Sequence, residues 1–191
     1  DKALVSAFTD ELISENFSRI LEYFQEVGTP TPEIIWSPAQ ADLEEEVLQV
    51  LLAYWSGLPR GRNLPLASTV DPLEMRKALG YVMLLGVEDD GWDYRYRVYG
   101  TSIAERSGFD ATGKLLSDLA LHPMEPFFLA SYRACVLQSE FMFARHQPPL
   151  RVHTKRWDRI ILPLEDGEGS INRLLVGNVP GAWQAERSFE D

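Results

Sequence analysis

Residues 108–114 have the glycine spacing of a phosphate-binding loop as far as the lysine at position 114. The next residue is Leu115, where such a loop needs Ser or Thr to hold magnesium. The stretch before Gly108 has a helical pattern instead of a strand pattern, and Asp110 puts an acid inside the loop. We therefore interpret the two glycines as the ends of short helical turns, without phosphate chemistry.

The remaining reactive residue types are also poorly spaced for chemistry. His146 and His153 lie seven residues apart, which would put them on opposite faces of one strand. We therefore expect no metal site. Cys135 is the single cysteine, so neither an intrachain disulfide nor a cysteine-rich zinc site can form. We expect it to be a small core residue on a helix, because free cysteine is among the most frequently buried residue types. A catalytic thiol would need a histidine near it in the fold.

Arg97 is the charged residue with the most informative position. Residues 94–99 alternate as in a strand, which predicts Tyr96 on one face and Arg97 with Tyr99 on the other. Two interpretations of Arg97 stay open. It forms an ion pair with a surface acid, or its planar guanidinium fork meets an anionic group of a ligand.

The charge of the chain is concentrated at its beginning. The 191 residues carry a formal net charge of -11, yet residues 1–46 hold eleven acids and only two bases. A chain this acidic is a poor partner for phosphate backbones, so we expect no nucleic-acid binding. No apolar run approaches the roughly 20 residues that span a bilayer, and acidic helices avoid anionic membranes. These features, with no visible signal peptide, predict a cytoplasmic protein.

The acidic beginning has a helical period. Ile13, Phe17, Ile20 and Phe24 recur at steps of three and four, which predicts one amphipathic helix over residues 1–28. Residues 29–41 contain three prolines and are predicted to be a linker. The apolar stripe of the helix must be buried somewhere. It either packs on its own domain or pairs with a second copy, and the second interpretation predicts a homodimer through this helix.

The rest of the chain predicts an α+β domain over residues 42–183, followed by a tail over 184–191. Two strands form a hairpin around Gly91, short helices and one longer helix follow, and three strands complete a meander. We expect a five-stranded antiparallel sheet with helices on one face. A cavity for a small ligand would lie between the helices and the sheet. The predicted strands are residues 81–87, 94–99, a segment beginning near 141, 157–164 and 171–179.

Six short stretches of the chain form a set that is typical of one known family. They are Tyr54-Trp55, Gly61-Arg62 with Pro65, Val70-Asp71-Pro72, Tyr96-Arg97-Val98-Tyr99-Gly100-Thr101, Gly108-Phe109-Asp110-Ala111-Thr112-Gly113, and Ile161-Leu162-Pro163-Leu164 with Asp166-Gly167. Together they resemble the PAS domain, and in particular the stand-alone PAS-like proteins found mainly in alphaproteobacteria. The resemblance covers roughly residues 45–183 and leaves the first helix outside. It implies a sensory or interaction module, with ligand binding or protein association instead of catalysis, and it assigns no catalytic residues.

The resemblance also limits the cofactors. A PAS-type haem needs a helical histidine facing the pocket, and His122 is the only loose candidate, so we expect no haem. Light-sensing flavin chemistry needs a cysteine in an Asn-Cys-Arg setting, which Cys135 lacks. We expect no cofactor. The residues that would wall a ligand pocket, several of them also good core residues, are Arg97, Tyr99, Phe127, Phe128, Tyr132 and Trp157.

Three functions stay open at this point. The first is a sensory module that binds a small molecule and signals by association, since no output segment is recognisable after residue 183. The second is an interaction module with a filled core, which docks an unknown partner through the first helix or the sheet. The third, a small cone-shaped α+β enzyme, would need a buried carboxylate or histidine with a perturbed pKa.

Overall fold

One antiparallel sheet of six strands organises the chain in a computed structural model that describes residues 1–119, 123–148 and 156–181. The spatial order of the strands is β1-β4-β5-β6-β2-β3, and every neighbouring pair is antiparallel. The strands are β1 (Glu33–Trp36), β2 (Val82–Glu88), β3 (Asp93–Tyr99), β4 (Met142–His146), β5 (Trp157–Glu165) and β6 (Ile171–Pro180).

Helices cover both faces of this sheet. The front face is covered by α1, α2, α4 and α5, and the back face by α3 with the residues 58–81 that follow it. Because side chains alternate along a strand, β5 sends Ile161 to the front core and Ile160 to the back core. The helices are α1 (Lys2–Ser14), α2 (Ser18–Glu26), α3 (Glu46–Gly57), α4 (Thr101–Ser107) and α5 (Glu125–Gln138).

The α+β class is confirmed, with two differences in detail. The sheet has a sixth strand, β1, inside the segment predicted to be a linker. The prolines of that segment lie outside the strand, so Ile34 and Ile35 can extend and pair with Ala144 and Phe143 at the sheet edge. The second difference is that α3 packs on the back face, so helices do not lie on one face alone.

The N-terminal segment forms two helices, and the prediction of a single helix is wrong. The chain turns at Glu15, which has left-handed backbone angles. Glu11 then accepts backbone N–H bonds at 2.8 Å from Arg19 and 3.0 Å from Ile20, which satisfies the free donors at the start of α2. A helical period continues through such a turn when both helices bury the same side.

The apolar stripe of these helices packs on its own domain. Ile20 and Phe24 are fully buried in the front core, and Ile13 and Phe17 pack against it partly buried. The Phe24 ring meets the Phe127 ring of α5 edge-on at 5.1 Å. This is one of the two interpretations that the sequence left open. The fully buried stripe residues are Phe8, Leu12, Ile20 and Phe24.

The structure also shows where Cys135 lies, whereas two of the three histidines and the tail are outside the described residues. Cys135 is buried on α5, as expected, and burial raises the pKa of its thiol well above the ordinary value. His122, His153 and the tail over 184–191 lie outside the described residues. Within the described ranges, no helix combines the length and the apolar character that crossing a membrane requires.

Candidate functional site

A β-bulge in β3 shapes the candidate site. Tyr96 pairs with Leu85 and Val98 with Leu84, so Arg97 is an extra residue without a counterpart on β2. The extra residue brings Tyr96 and Tyr99 to the same side of the sheet, where their rings meet edge-on at 5.3 Å. The simple alternation that predicted Tyr99 beside Arg97 is therefore wrong.

Arg97 lies outside the cavity wall. Its Nη2 donates to Glu88 Oε1 at 3.3 Å, and Arg95 Nε donates to the same oxygen at 3.3 Å. The side chain of Arg97 is exposed. This is the surface ion pair that the sequence left open as one interpretation of Arg97.

The front face contains a cavity of about 460 Å³, between the sheet, α4, the segment 107–119 and the first turns of α5. Of the six candidate residues, Tyr99, Phe128 and Trp157 line it, whereas Phe127 and Tyr132 are buried behind the wall. The lining residues are Met83, Tyr96, Tyr99, Arg106, Ser107, Phe109, Lys114, Leu116, Asp118, Leu119, Glu125, Phe128, His146, Trp157, Arg159 and Asn178.

Arg159 is the buried charge in this wall, since only 5% of its surface is exposed. Its Nε donates to Asn178 Oδ1 at 3.2 Å, across the pairing of β5 with β6. The guanidinium carbon lies 4.1 Å from the ring centre of Phe128 and 5.7 Å from that of Tyr132. Among residues 1–119, 123–148 and 156–181, no carboxylate oxygen lies within 4.0 Å of this guanidinium.

Burial and the positive charge of Arg159 have opposite effects on the pKa of three nearby tyrosines. Burial is the largest influence and raises the pKa of Tyr96, Tyr99 and Tyr132, so all three are neutral phenols at physiological pH. At each of them the Arg159 charge acts in the opposite direction, towards a lower pKa. The interior of the cavity is thus aromatic and electrically positive on the β5 side.

The rim of the cavity carries charges of both signs. Lys114 and Asp118 are exposed, and the carboxylate of Asp118 accepts the backbone N–H of Leu115 at 3.0 Å. Arg106 Nη1 donates to the carbonyl oxygen of Gly181 at 3.3 Å. Glu125 lies in the first turn of α5, where a helix favours an acid. These rim charges border the opening, whereas Arg159 lies below it.

This arrangement is suited to binding. It offers a guanidinium, phenolic hydroxyls and flat apolar walls, which fix and orient a small molecule. Among the described residues, no group of three His, Cys, Asp or Glu side chains is placed to hold a metal ion.

Sequence reasoning missed Arg159 and Asn178. One signal was present: Asp158 and Arg159 come directly before the apolar run from Ile160 to Leu164, in a strand whose residues are all buried. Charged residues are rarely buried without a partner or a role. Which of the two would face a cavity depends on the helices that cover the front face, and the local pattern does not contain that information.

Two of the resemblance stretches have structural roles. A side chain at Gly100 would put its Cβ 2.3 Å from the carbonyl oxygen of Gly80, so only glycine allows the chain to pass there into α4. At Gly61 an added Cβ would overlap the Glu165 carboxylate, which accepts the backbone N–H groups of Arg62, Asn63 and Leu64. These glycines maintain the backbone around the sheet.

A comparison with protein families agrees with the resemblance. A family model described as PAS domain matches residues 43–175, well over half of the chain. The match begins after α1 and α2, as expected. No curated protein matches the chain. A solved structure described as "Structure of an RNA-binding Light-Oxygen-Voltage Receptor" aligns with 13% sequence identity and a TM-score of 0.46. That alignment covers 93% of this chain, which spans about half (53%) of the other one.

Proposed function

Because the chain belongs to the PAS domain family, whose members are typically sensory and signalling domains, we propose that it binds a small molecule and signals through protein association. The observation that carries this proposal is the front-face cavity of about 460 Å³. Cavities that hold small ligands measure roughly 300–1,000 Å³ and combine apolar walls with a few polar groups. Tyr96, Tyr99, Phe128 and Trp157 supply such walls here. The cavity also counts against the alternative of an interaction module with a filled core.

The helix α5 offers a route from the cavity to the N-terminal helices. Phe128 in its second turn lines the cavity, and the neighbouring Phe127 packs against Phe24 of α2. The Tyr23 hydroxyl also donates to the carbonyl oxygen of Pro123, just before α5. A ligand that displaces Phe128 would therefore shift the contacts that hold α2. This supports the outer surface of α1 and α2 as the output surface.

Association itself stays a prediction, and the homodimer needs a different surface from the one first considered. The apolar stripe of α1 and α2 is covered by α5, so it is not available to a second copy. The exposed residues from Asp1 to Glu26 include more acids than bases, and two faces with the same net charge repel. We propose that any homodimer uses another surface. Light scattering on the purified chain tests this, and a dimer that Glu22→Lys and Glu26→Lys disrupt would contradict it.

The ligand proposal is tested by filling the cavity. Leu116 is buried in the cavity wall, so Leu116→Trp adds bulk where the ligand would lie. Leu73, which is 63% exposed, provides the matched control Leu73→Trp. Binding of a fragment library is followed by thermal shift, and co-purified molecules by native mass spectrometry.

We expect wild type and Leu73→Trp to bind the same compounds and Leu116→Trp to lose them. If wild type binds no fragment and carries no extra mass, or if Leu116→Trp retains every ligand, the cavity is not a binding site and the proposal fails. Circular dichroism verifies that both variants keep the wild-type fold.

A further inference from the structure

We infer that the front-face cavity selects a small monocarboxylate with a flat apolar body, and that the Arg159 guanidinium binds its carboxylate. The inference rests on the proposed function, because it names the chemical class of the ligand for that same cavity. It depends on three features of Arg159: its burial, the directions of its donors and the walls around it.

The buried charge of Arg159 is only partly compensated. Moving a guanidinium out of water costs several kcal/mol unless a counter-charge or a full set of acceptors replaces the water. Asn178 provides one neutral acceptor, and within the described part of the chain no acid forms an ion pair with Arg159. A ligand anion would complete this environment.

The guanidinium of Arg159 has more donors than its partner uses. It has five N–H donors in one plane, and the Asn178 bond uses the one on Nε. The rings of Phe128 and Tyr132 approach at centroid distances of 4.1 Å and 5.7 Å and offer no strong acceptor. With respect to the described residues, the four N–H groups on the terminal nitrogens thus stay available to the cavity that Arg159 lines. Two parallel N–H bonds from such a fork match the two oxygens of a carboxylate.

The walls around Arg159 would contact the rest of the ligand. Tyr96, Tyr99, Phe128 and Trp157 provide flat aromatic surface, which favours an aromatic or planar apolar body. The wall also contains two other bases and two acids, which offset one another, so Arg159 leaves the charged residues of the lining with one net positive charge. One carboxylate matches this charge, whereas a phosphate dianion or a dicarboxylate exceeds it.

Phenylacetate and its neutral counterpart phenylacetamide test this inference. They have nearly the same shape and differ in the charge that Arg159 would recognise. Isothermal titration calorimetry and thermal shift are measured for wild type, Arg159→Met, Arg159→Lys and the exposed control Arg97→Met, with sodium chloride matched to the carboxylate salt.

We expect wild type and Arg97→Met to prefer phenylacetate by at least about tenfold, which corresponds to about 1.4 kcal/mol. Arg159→Met should lose the preference while still binding phenylacetamide as before. Arg159→Lys should keep a weaker preference, because it retains the charge without the planar fork.

The outcomes separate this inference from the proposed function. Equal affinity of wild type for the two compounds overturns the inference and leaves the cavity as a binding site. A fragment library whose Leu116→Trp-sensitive hits include no carboxylates does the same. If no compound of any kind binds in the cavity, the proposed function fails, and the inference fails with it.

Discussion

Asp158 and Arg159 are neighbours on β5 and both are buried, but only Asp158 has oppositely charged partners among the described residues. Asp158 is 1% exposed and lies on the side of the sheet that α3 covers. Arg145 of the neighbouring strand β4 donates to its two oxygens at 3.0 Å and 2.8 Å. Arg156 Nε approaches the same carboxylate at 3.2 Å. Arg159 is 5% exposed and faces the cavity, with one neutral acceptor and two ring faces.

The difference separates a structural charge from a functional one. Asp158 has partners that satisfy it and join β4, β5 and the start of α3, because Arg145 and Arg156 also bind Glu44. The far end of β5 follows the same rule, since three backbone N–H groups satisfy Glu165. Of the three buried charges on β5, only Arg159 has hydrogen-bonding capacity that the described residues leave unused. A buried charge with spare donors beside a cavity indicates ligand binding more strongly than burial by itself does.

The largest expected effect comes from removing the structural charge. Asp158→Asn leaves two guanidinium groups without their buried carboxylate, which typically costs about 3 kcal/mol of stability. Chemical denaturation measures the loss. The control is Asp89→Asn, which removes an ion pair with Lys2 whose Asp89 side chain is 65% exposed. We expect that change to stay within about 0.5 kcal/mol, and equal effects of the two substitutions would contradict the structural role of Asp158.

The second prediction concerns pH and Glu165. Burial of this carboxylate favours its neutral form, but the backbone N–H bonds from Leu64, Asn63 and Arg62 outweigh burial and lower its pKa below the ordinary 4.5. A lowered pKa stabilises the fold above pH 4.5, and this contribution disappears as the pH falls through the lowered value.

Glu165→Gln should therefore lower the thermal midpoint by several degrees at pH 7. The NH2 group of the glutamine would face backbone N–H groups that the carboxylate now accepts. Below pH 4.5 the difference from wild type should shrink as the wild-type carboxyl becomes protonated. Glu168→Gln, at an exposed position in the next turn, is the matched control. A difference between Glu165→Gln and wild type that is independent of pH would show that the ionised form has no special role.

The smallest expected effect comes from Arg159 itself in the absence of any ligand. Arg159→Met removes a poorly compensated charge and keeps a side chain of similar length, so we expect stability to be unchanged or higher by up to about 1 kcal/mol. Denaturation in ligand-free buffer measures it beside Asp158→Asn. A loss of 2 kcal/mol or more would mean that Arg159 is as well satisfied as Asp158, and the contrast between the two would vanish.

The sequence predicted what depends on local patterns and missed what depends on long-range packing. The hairpin at Gly91 and the succession of β2 to β6 along the chain followed from turn residues and alternation, and Gly91 has the expected positive φ of 80°. The bulge at Arg97 was missed because it is defined by pairing with β2. The turn at Glu15 was missed because it contains no glycine to mark it. The predicted packing of helices on a sheet suggested a cavity, but the candidate arginine for its wall was Arg97 on β3 instead of Arg159 on β5.

The most direct test of the central claim is the side-chain NMR signal of Arg159. Its Nε–H group is buried and bonded to Asn178, which slows exchange with water and makes the signal observable. Loss of the peak in Arg159→Lys assigns it. We expect phenylacetate to shift this signal in a saturable way and phenylacetamide to leave it nearly unchanged. If the two compounds shift it equally, or if phenylacetate shifts only exposed arginines such as Arg97, Arg159 does not bind a carboxylate.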